Sequence, residues 1–149
     1  MTGLPGSGSR SLGSRLAFVA ALVATVLLAL AGCQDTIFKN LGPENKPELY
    51  IAPDTTRYQA RELDNVTDLE VWTWPHTGRV ANVYHRNFVH HGHARITVED
   101  ANGAIVYDHI PVEYELVNET LDGDPGDWRV MIEFFGAKGR VDFSVARKP

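Results

Sequence analysis

Apolar and polar side chains alternate one by one along several stretches of this chain. Residues 94–99, 130–134 and 141–145 each place apolar side chains at every second position. Because successive side chains of a β-strand point to opposite faces, each stretch would have one apolar face to bury. No stretch keeps the i, i+3, i+4, i+7 spacing of an amphipathic helix over several turns. The chain is therefore predicted to be all-β, a single small antiparallel β-sandwich of about seven strands.

Turn-forming residues separate these stretches. Asp100-Ala101-Asn102-Gly103 and Gly136-Ala137-Lys138-Gly139 supply residues that tolerate positive φ, so each predicts a tight hairpin connection. Residues 122–127 predict a longer bend. Their three aspartates are similar in composition to a calcium-binding loop, but glycine stands where the EF-hand pattern needs a ligand, which favours a plain turn.

The first 32 residues have the layout of an export signal. Residues 1–15 are rich in Gly and Ser and carry Arg10 and Arg15 as their only charges, and residues 16–32 are uncharged. A positive region, an apolar segment and then small residues are typical of a secretory signal peptide. A retained transmembrane helix is the alternative, because about 17 residues is the lower limit for crossing a bilayer.

The only cysteine of the chain stands directly after this segment. Leu30-Ala31-Gly32-Cys33 resembles the lipobox of bacterial lipoproteins. The resemblance implies cleavage before Cys33, transfer of lipid to its thiol and anchoring of the protein in a membrane. By the same resemblance, Gln34 after the cysteine favours the outer membrane. The domain would then lie outside the cytoplasm, in the cell envelope.

These features divide the chain into three parts. Residues 1–32 are predicted to be a helical lipoprotein signal peptide, and residues 33–65 a lipidated N-terminus and flexible tether. Residues 48–52 are the candidate for one edge strand within that tether. The β-sandwich domain is predicted over residues 66–149. Without the signal, 117 of the 149 residues remain, a usual size for one domain.

The exported part would be acidic. All 19 Asp and Glu residues but only 12 of the 14 Lys and Arg residues follow Gly32, which leaves a net charge of −7. This charge argues against a nucleic-acid partner and against binding of anionic lipid head groups by charge. With one cysteine no disulfide can form within the chain, so stability must come from the apolar core.

The C-terminal stretches carry a second resemblance. Gly126-Asp127-Trp128-Arg129-Val130 followed by Gly139-Arg140-Val141-Asp142-Phe143-Ser144-Val145 is similar to the closing hairpin of small immunoglobulin-like or pre-peptidase-C-like modules of exported bacterial proteins. The resemblance covers about the last 80 residues. It implies a sandwich fold, and no activity is carried over with it.

A cluster of histidines is the most unusual feature of the composition. Of the six histidines, four lie within nine residues, namely His85, His90, His91 and His93. If the strand phase of residues 96–98 extends backward, His91 and His93 share a face, and with His85 they form a candidate Zn or Cu site. The alternative, which we favour, is a polar strand and loop whose histidines bind no metal.

Trp72 and Trp74 share one face of a predicted strand that Pro75 ends. An exposed pair could stack on the sugar rings of a polysaccharide. The alternative has both rings in the core with Trp128, and we favour it because Trp is highly buried on average.

Catalytic motifs are missing from the sequence. Ser144 is the only serine after the signal, it lacks a Gly-x-Ser-x-Gly elbow, and an acylated Cys33 leaves no thiol. We therefore expect a membrane-anchored, non-enzymatic envelope lipoprotein without a cofactor, which binds an envelope protein or a polysaccharide. The alternatives are a periplasmic Zn or Cu binding protein and a hydrolase whose site is assembled from loops.

The lipobox yields a direct test. We expect the protein purified from native membranes to lack residues 1–32 and to carry a diacylglyceryl group on Cys33. Intact-mass spectrometry measures both changes at once. Cys33→Ser should leave the signal uncleaved, because the thiol is the acceptor of the lipid. A native mass that still contains residues 1–32, or a bare thiol, would contradict the lipoprotein hypothesis.

Overall fold

The computed structural model describes residues 38–112 and 116–149, so the predicted signal peptide and Cys33 lie outside the described residues. A 3-10 helix (Pro43–Asn45) precedes the strands. None of the helices among the described residues is long and apolar enough to span a bilayer. The described residues form seven strands, which are β1 (Glu48–Ala52), β2 (Thr55–His76), β3 (Ala81–His85), β4 (Phe88–Glu99), β5 (Ile105–His109), β6 (Leu116–Glu119) and β7 (Gly126–Arg147).

Two long strands, β2 and β7, organise the sheet. They pair antiparallel along almost their whole length, from Thr55 opposite Ala146 to His76 opposite Gly126. The other edge of β7 is shared, because β4 pairs with its first part and β3 with its last part. The order β1-β2-β7-β3-β6 therefore forms a five-stranded layer, and β2-β7-β4-β5 forms a four-stranded layer.

The two layers pack face to face because the long strands fold back on themselves. Tyr58 and Trp72 both lie on β2, and a straight strand would hold them about 46 Å apart. Their ring centroids are only 5.4 Å apart and the rings are stacked. Phe134 and Phe143 of β7 also both contact Tyr58. The prediction of an all-β, antiparallel sandwich of about seven strands is confirmed.

The fold-back occurs at one row of residues that crosses three strands. Glu62 and Asn65 of β2, Gly136 and Gly139 of β7 and Gly92 of β4 all have positive φ, between 56° and 132°. The pairing register of β2 with β7 and of β4 with β7 shifts at the same place. Bulges and left-handed residues bend strands. We call this row, residues 62–66, 89–93 and 136–139, the bend.

The bend corrects the predicted hairpin at residues 136–139. β7 runs through these residues without reversing, so no tight turn separates residues 126–130 from 139–145. The positive φ of Gly136 and Gly139 serves to bend one strand, not to connect two. The closing hairpin implied by the second resemblance is therefore wrong, whereas the hairpin at Asp100–Gly103 joins β4 to β5 as predicted.

The strands begin earlier than residue 66, where the sequence placed the start of the sandwich. β1 is the expected edge strand at residues 48–52, since it pairs only with β2. Residues 39–46, which we call the N-terminal strap, are hydrogen bonded to the bend. The amide of Lys39 donates to the Asn65 carbonyl at 3.0 Å, and the buried Asn45 side chain donates to the Glu62 carbonyl at 2.9 Å. The described residues of the expected tether are therefore not free, because they are hydrogen bonded to the rest of the domain.

Gly92 gives a test of the bend. Its φ is +64°, and a Cβ at this position would clash with the backbone carbonyls of Phe135 and Gly136. We expect Gly92→Ala to lower the free energy of unfolding by about 3 kcal/mol or more, measured by urea denaturation. Gly103→Ala is the matched control, because its φ is +82° but its surroundings are open. It should lose only about 1 kcal/mol. Equal losses would show that close packing at the bend does not matter.

Candidate ligand-binding face

The histidines predicted to bind metal are not brought together. His85 is completely buried, whereas His91 and His93 are exposed on the bend. The left-handed Gly92 and two register shifts break the strand phase that the metal hypothesis required. Among residues 38–112 and 116–149, no group of three or more His, Cys, Asp or Glu side chains is placed to hold a metal ion.

Trp72 and Trp74 are not available to stack on a ligand, which corrects the stacking hypothesis. Both are buried, and Trp74 has no exposed surface. The indole of Trp72 donates to Oγ1 of Thr56 at 3.0 Å, and Trp74 meets Trp128 edge to face at 5.8 Å. At this end of β2 the even-numbered side chains point into the core, so both tryptophans are buried.

The outer side of the five-stranded layer is a polar surface with a recessed shape. In β2, Tyr58 and Ala60 point into the core, so residues 57, 59 and 61 point outward. The same alternation in β7 buries Val141 and Phe143. We call this surface the arginine face, and it consists of Tyr50, Arg57, Gln59, Arg61, Tyr84, Arg86, Arg140, Asp142 and Ser144.

Strand register places the side chains of the arginine face in straight rows. Tyr84 is opposite Ser144, Ser144 is opposite Arg57, and Arg57 is opposite Tyr50. One row therefore crosses four strands with a tyrosine at each end. Tyr50 is 59% exposed. Two aromatic rings bracket a central row of hydroxyl and guanidinium groups.

Three adjoining cavities open on the arginine face, with volumes of about 610, 400 and 260 Å³. The first shares Arg57 and Ser144 with the third, and the second shares Arg86 and Asp142 with the third. They are therefore parts of one groove. Its two larger parts, of about 610 and 400 Å³, each fall in the range of small-molecule pockets, about 300 to 1,000 Å³.

Asp142 lies at the centre of the groove and fixes its geometry. Nε and Nη2 of Arg57 donate to its two carboxylate oxygens at 3.1 and 2.9 Å, and Gln59 donates at 2.9 Å. Burial opposes the charged form of Asp142, but these hydrogen bonds and the nearby charges of Arg57 and Arg86 hold its pKa below the usual value. Asp142 is thus an ionised anchor that orients Arg57.

The groove is electropositive although the protein is acidic. Four arginines line the three cavities, against the carboxylates of Asp142 and Glu48. The excess of two positive charges stands out in a chain with 19 acidic and 14 basic residues. Arg61 is exposed and donates to Oε1 of Gln59 at 2.8 Å. Guanidinium groups held in this way suit carboxylate ligands, which they bind through paired hydrogen bonds.

A buried hydrogen-bond chain supports Asp142 from the core side. Oδ1 of Asn87 accepts from the amide of Asp142 at 2.9 Å, so its Nδ2 faces Nδ1 of His85 at 3.3 Å. Nδ1 of His85 is then the acceptor, and Nε2 carries the proton and donates to the Tyr107 hydroxyl at 2.7 Å. His85 therefore has a structural role, which sequence spacing did not reveal.

Comparisons with known proteins give no family. Neither a protein-family model nor a curated protein matches the sequence. Among solved structures, a carbohydrate-binding module, TmCBM61 in complex with β-1,4-galactotriose, is 11% identical over 68% of this chain and 70% of its own, with a TM-score of 0.39. Accessory secretory proteins 1, 2 and 3 of Streptococcus pneumoniae give 14% identity, coverage of 69% and 86%, and a TM-score of 0.36.

A glycoside hydrolase family 43 arabinoxylan arabinofuranohydrolase from Bacillus subtilis, in complex with cellotetraose, is 14% identical and has a TM-score of 0.34. The match covers 63% of this chain and 22% of that chain. Matches at these identities and TM-scores identify neither a family nor a ligand site.

The carboxylate of Asp142 gives a pH test. Because its folded pKa is lowered, its contribution to stability is complete above about pH 4 and is lost as the pH falls through the folded value. Asp142→Asn should cost about 1 to 2 kcal/mol at pH 7, since the pair is partly exposed to water. Urea denaturation of both proteins should show this difference shrinking below about pH 4.

The matched control is Asp122→Asn, which breaks an exposed pair with Arg79. It should change stability less than Asp142→Asn at neutral pH. A wild-type advantage over Asp142→Asn that stayed constant down to about pH 2 would contradict the role given to the ionised carboxylate.

Proposed function

We propose that this chain is a membrane-anchored envelope lipoprotein whose β-sandwich binds an acidic polysaccharide on the arginine face, without catalysing a reaction. The observation that carries the proposal is the electropositive groove between Tyr50 and Tyr84 in an otherwise acidic domain. The anchor at Cys33 is supported by the lipobox and export signal. The proposed location is the outer membrane, with the domain outside the cytoplasm.

The side-chain chemistry of the groove supports a saccharide. Sugar rings offer apolar C–H faces to aromatic rings and hydroxyl groups to planar polar side chains. Tyr50 is exposed for stacking, and the hydroxyl of Ser144 lies beside Arg57 and Arg86 as a hydrogen-bonding group. The sequence offered Trp72 and Trp74 as the residues that could bind a polysaccharide. The proposal places this partner on the arginine face instead.

The charge of the groove supports an acidic sugar over a neutral one. Uronic acids carry a carboxylate on each ring, and arginine binds carboxylates with two parallel hydrogen bonds. Arg61, Arg86 and Arg140 line the same cavity, and we assign them to ligand carboxylates. A ligand that bridges several arginines would also explain why they are clustered in an acidic protein.

A binding experiment tests this function. The full chain purified in detergent should bind an oligomer of uronic acids at least about tenfold more tightly than the same oligomer with its carboxylates reduced to alcohols. Isothermal titration calorimetry measures both affinities. Arg61→Gln should weaken uronate binding about fivefold to tenfold, and Tyr50→Ala by a similar factor. Added salt should weaken it further.

Arg95→Gln is the control, because Arg95 lies exposed on the four-stranded layer and pairs with Asp108. It should leave uronate binding unchanged. Equal affinity for the charged and the reduced oligomer, or equal loss in the Arg95→Gln and Arg61→Gln variants, would refute the proposal.

A further inference from the structure

Aromatic side chains are exposed on the convex side of the bend. Phe38 is 67% exposed, Phe88 56% and Phe135 42%. His93 stacks on Phe135 with ring centroids 4.6 Å apart. We call these four residues the aromatic corner. None of these rings belongs to the core, and of the three phenylalanines only Phe88 borders residues of the arginine face.

Phe38, Phe135 and His93 of the aromatic corner lie together at the bend. A Cβ built on Gly136 would lie 3.4 Å from Cε1 of Phe38, so the Phe38 ring covers the residue next to Phe135. Phe88 is adjacent to the bend in β4, where it lies across from Arg140, and the His90 ring is 5.8 Å from the Phe88 ring. The bend and its flanking residues therefore carry exposed aromatic rings from three parts of the chain.

The N-terminal strap brings the aromatic corner close to Cys33 in the chain. Four residues lie between Cys33 and Phe38, so about five residue lengths limit the separation of their Cα atoms to about 18 Å in a fully extended chain. Had residues 33–65 been a free tether, as the sequence predicted, the limit between Cys33 and the first residue of the domain would be on the order of 110 Å. Whatever the orientation of the domain, the Cα atom of Phe38 stays within about 18 Å of the Cα atom of Cys33.

The lysines around the corner lie close to carboxylates. Lys39 and Lys138 both approach Asp64, and Lys46 pairs with Glu62. These contacts weaken the attraction of the lysines to anionic lipids. Aromatic side chains are enriched at the boundary between lipid head groups and acyl chains. Histidine, which has an apolar ring and a polar tip, can also lie there.

We propose that the aromatic corner docks on the surface of the bilayer in which Cys33 is anchored, and so holds the arginine face in a fixed orientation above the membrane. The inference rests on the lipid anchor of the proposed function. The partner proposed for the aromatic corner is a lipid surface. Phe88 also borders the cavity of Arg61 and Arg140, so one end of the arginine face lies next to the docked corner.

Fluorescent labels measure the docking directly. If lipid occupies Cys33, a cysteine introduced elsewhere is the only reactive thiol of the chain. The lipidated chain carries bimane at His91→Cys on the bend, or at Ala101→Cys in the exposed turn at the other end of β4. Vesicles contain equal parts phosphatidylethanolamine and phosphatidylglycerol with a nitroxide lipid. Quenching should be at least about twofold stronger at position 91 than at position 101.

A second variant separates docking from mere closeness to the anchor. Phe38→Ser together with Phe135→Ser, in the His91→Cys background, removes two rings but leaves the tether length unchanged. Docking predicts that quenching at position 91 falls toward the value at position 101. Equal quenching at the two positions, or quenching that survives the double substitution, overturns the inference. An intact mass without lipid on Cys33 overturns the anchor and the docking together. Uronate binding is measured in detergent, so its outcome does not depend on the anchor or on the docking.

Discussion

The bend of β2, β4 and β7 is the constraint on which the rest of the structure depends. Five positive-φ residues in one row let a single sheet fold over itself, so that Tyr58 packs on Trp72 of the same strand. Without that fold-back, the apolar sides of both layers would face water, and no core would exist. The groove on the arginine face also depends on the bend. In the five-stranded layer, β2 contributes its half before the bend and β7 its half after the bend.

Alternation of side chains was enough to predict the fold class, but not the path of the chain. The pattern at residues 130–134 and 141–145 identifies two inward-facing stretches correctly. It cannot say whether the glycines between them reverse the chain or bend it, because both need positive φ. The choice is made by distant partners, since β2 pairs with β7 on both sides of the bend.

The candidate site was largely beyond the reach of the sequence. Arg57-Tyr58-Gln59-Ala60-Arg61 alternates as clearly as any core strand, but the prolines and polar residues around it favoured a tether. Arg86 and Arg140 are separated by 54 positions and meet only through the register of β3, β4 and β7. The histidine spacing was misleading for a related reason, because Gly92 shifts the strand phase and His85 is held inside by Asn87 and Tyr107.

The pairing of β2 with β7 also bears on how such a chain would complete its folding during export. Residues 55–76 find their partners at residues 126–147, so the sheet closes only when the last strand is present. Contacts this far apart in sequence form slowly. If the chain crosses a membrane from its N-terminus, as proposed, β2 emerges with only β1 as a partner, and the edge that later meets β7 needs protection from other chains until translocation ends.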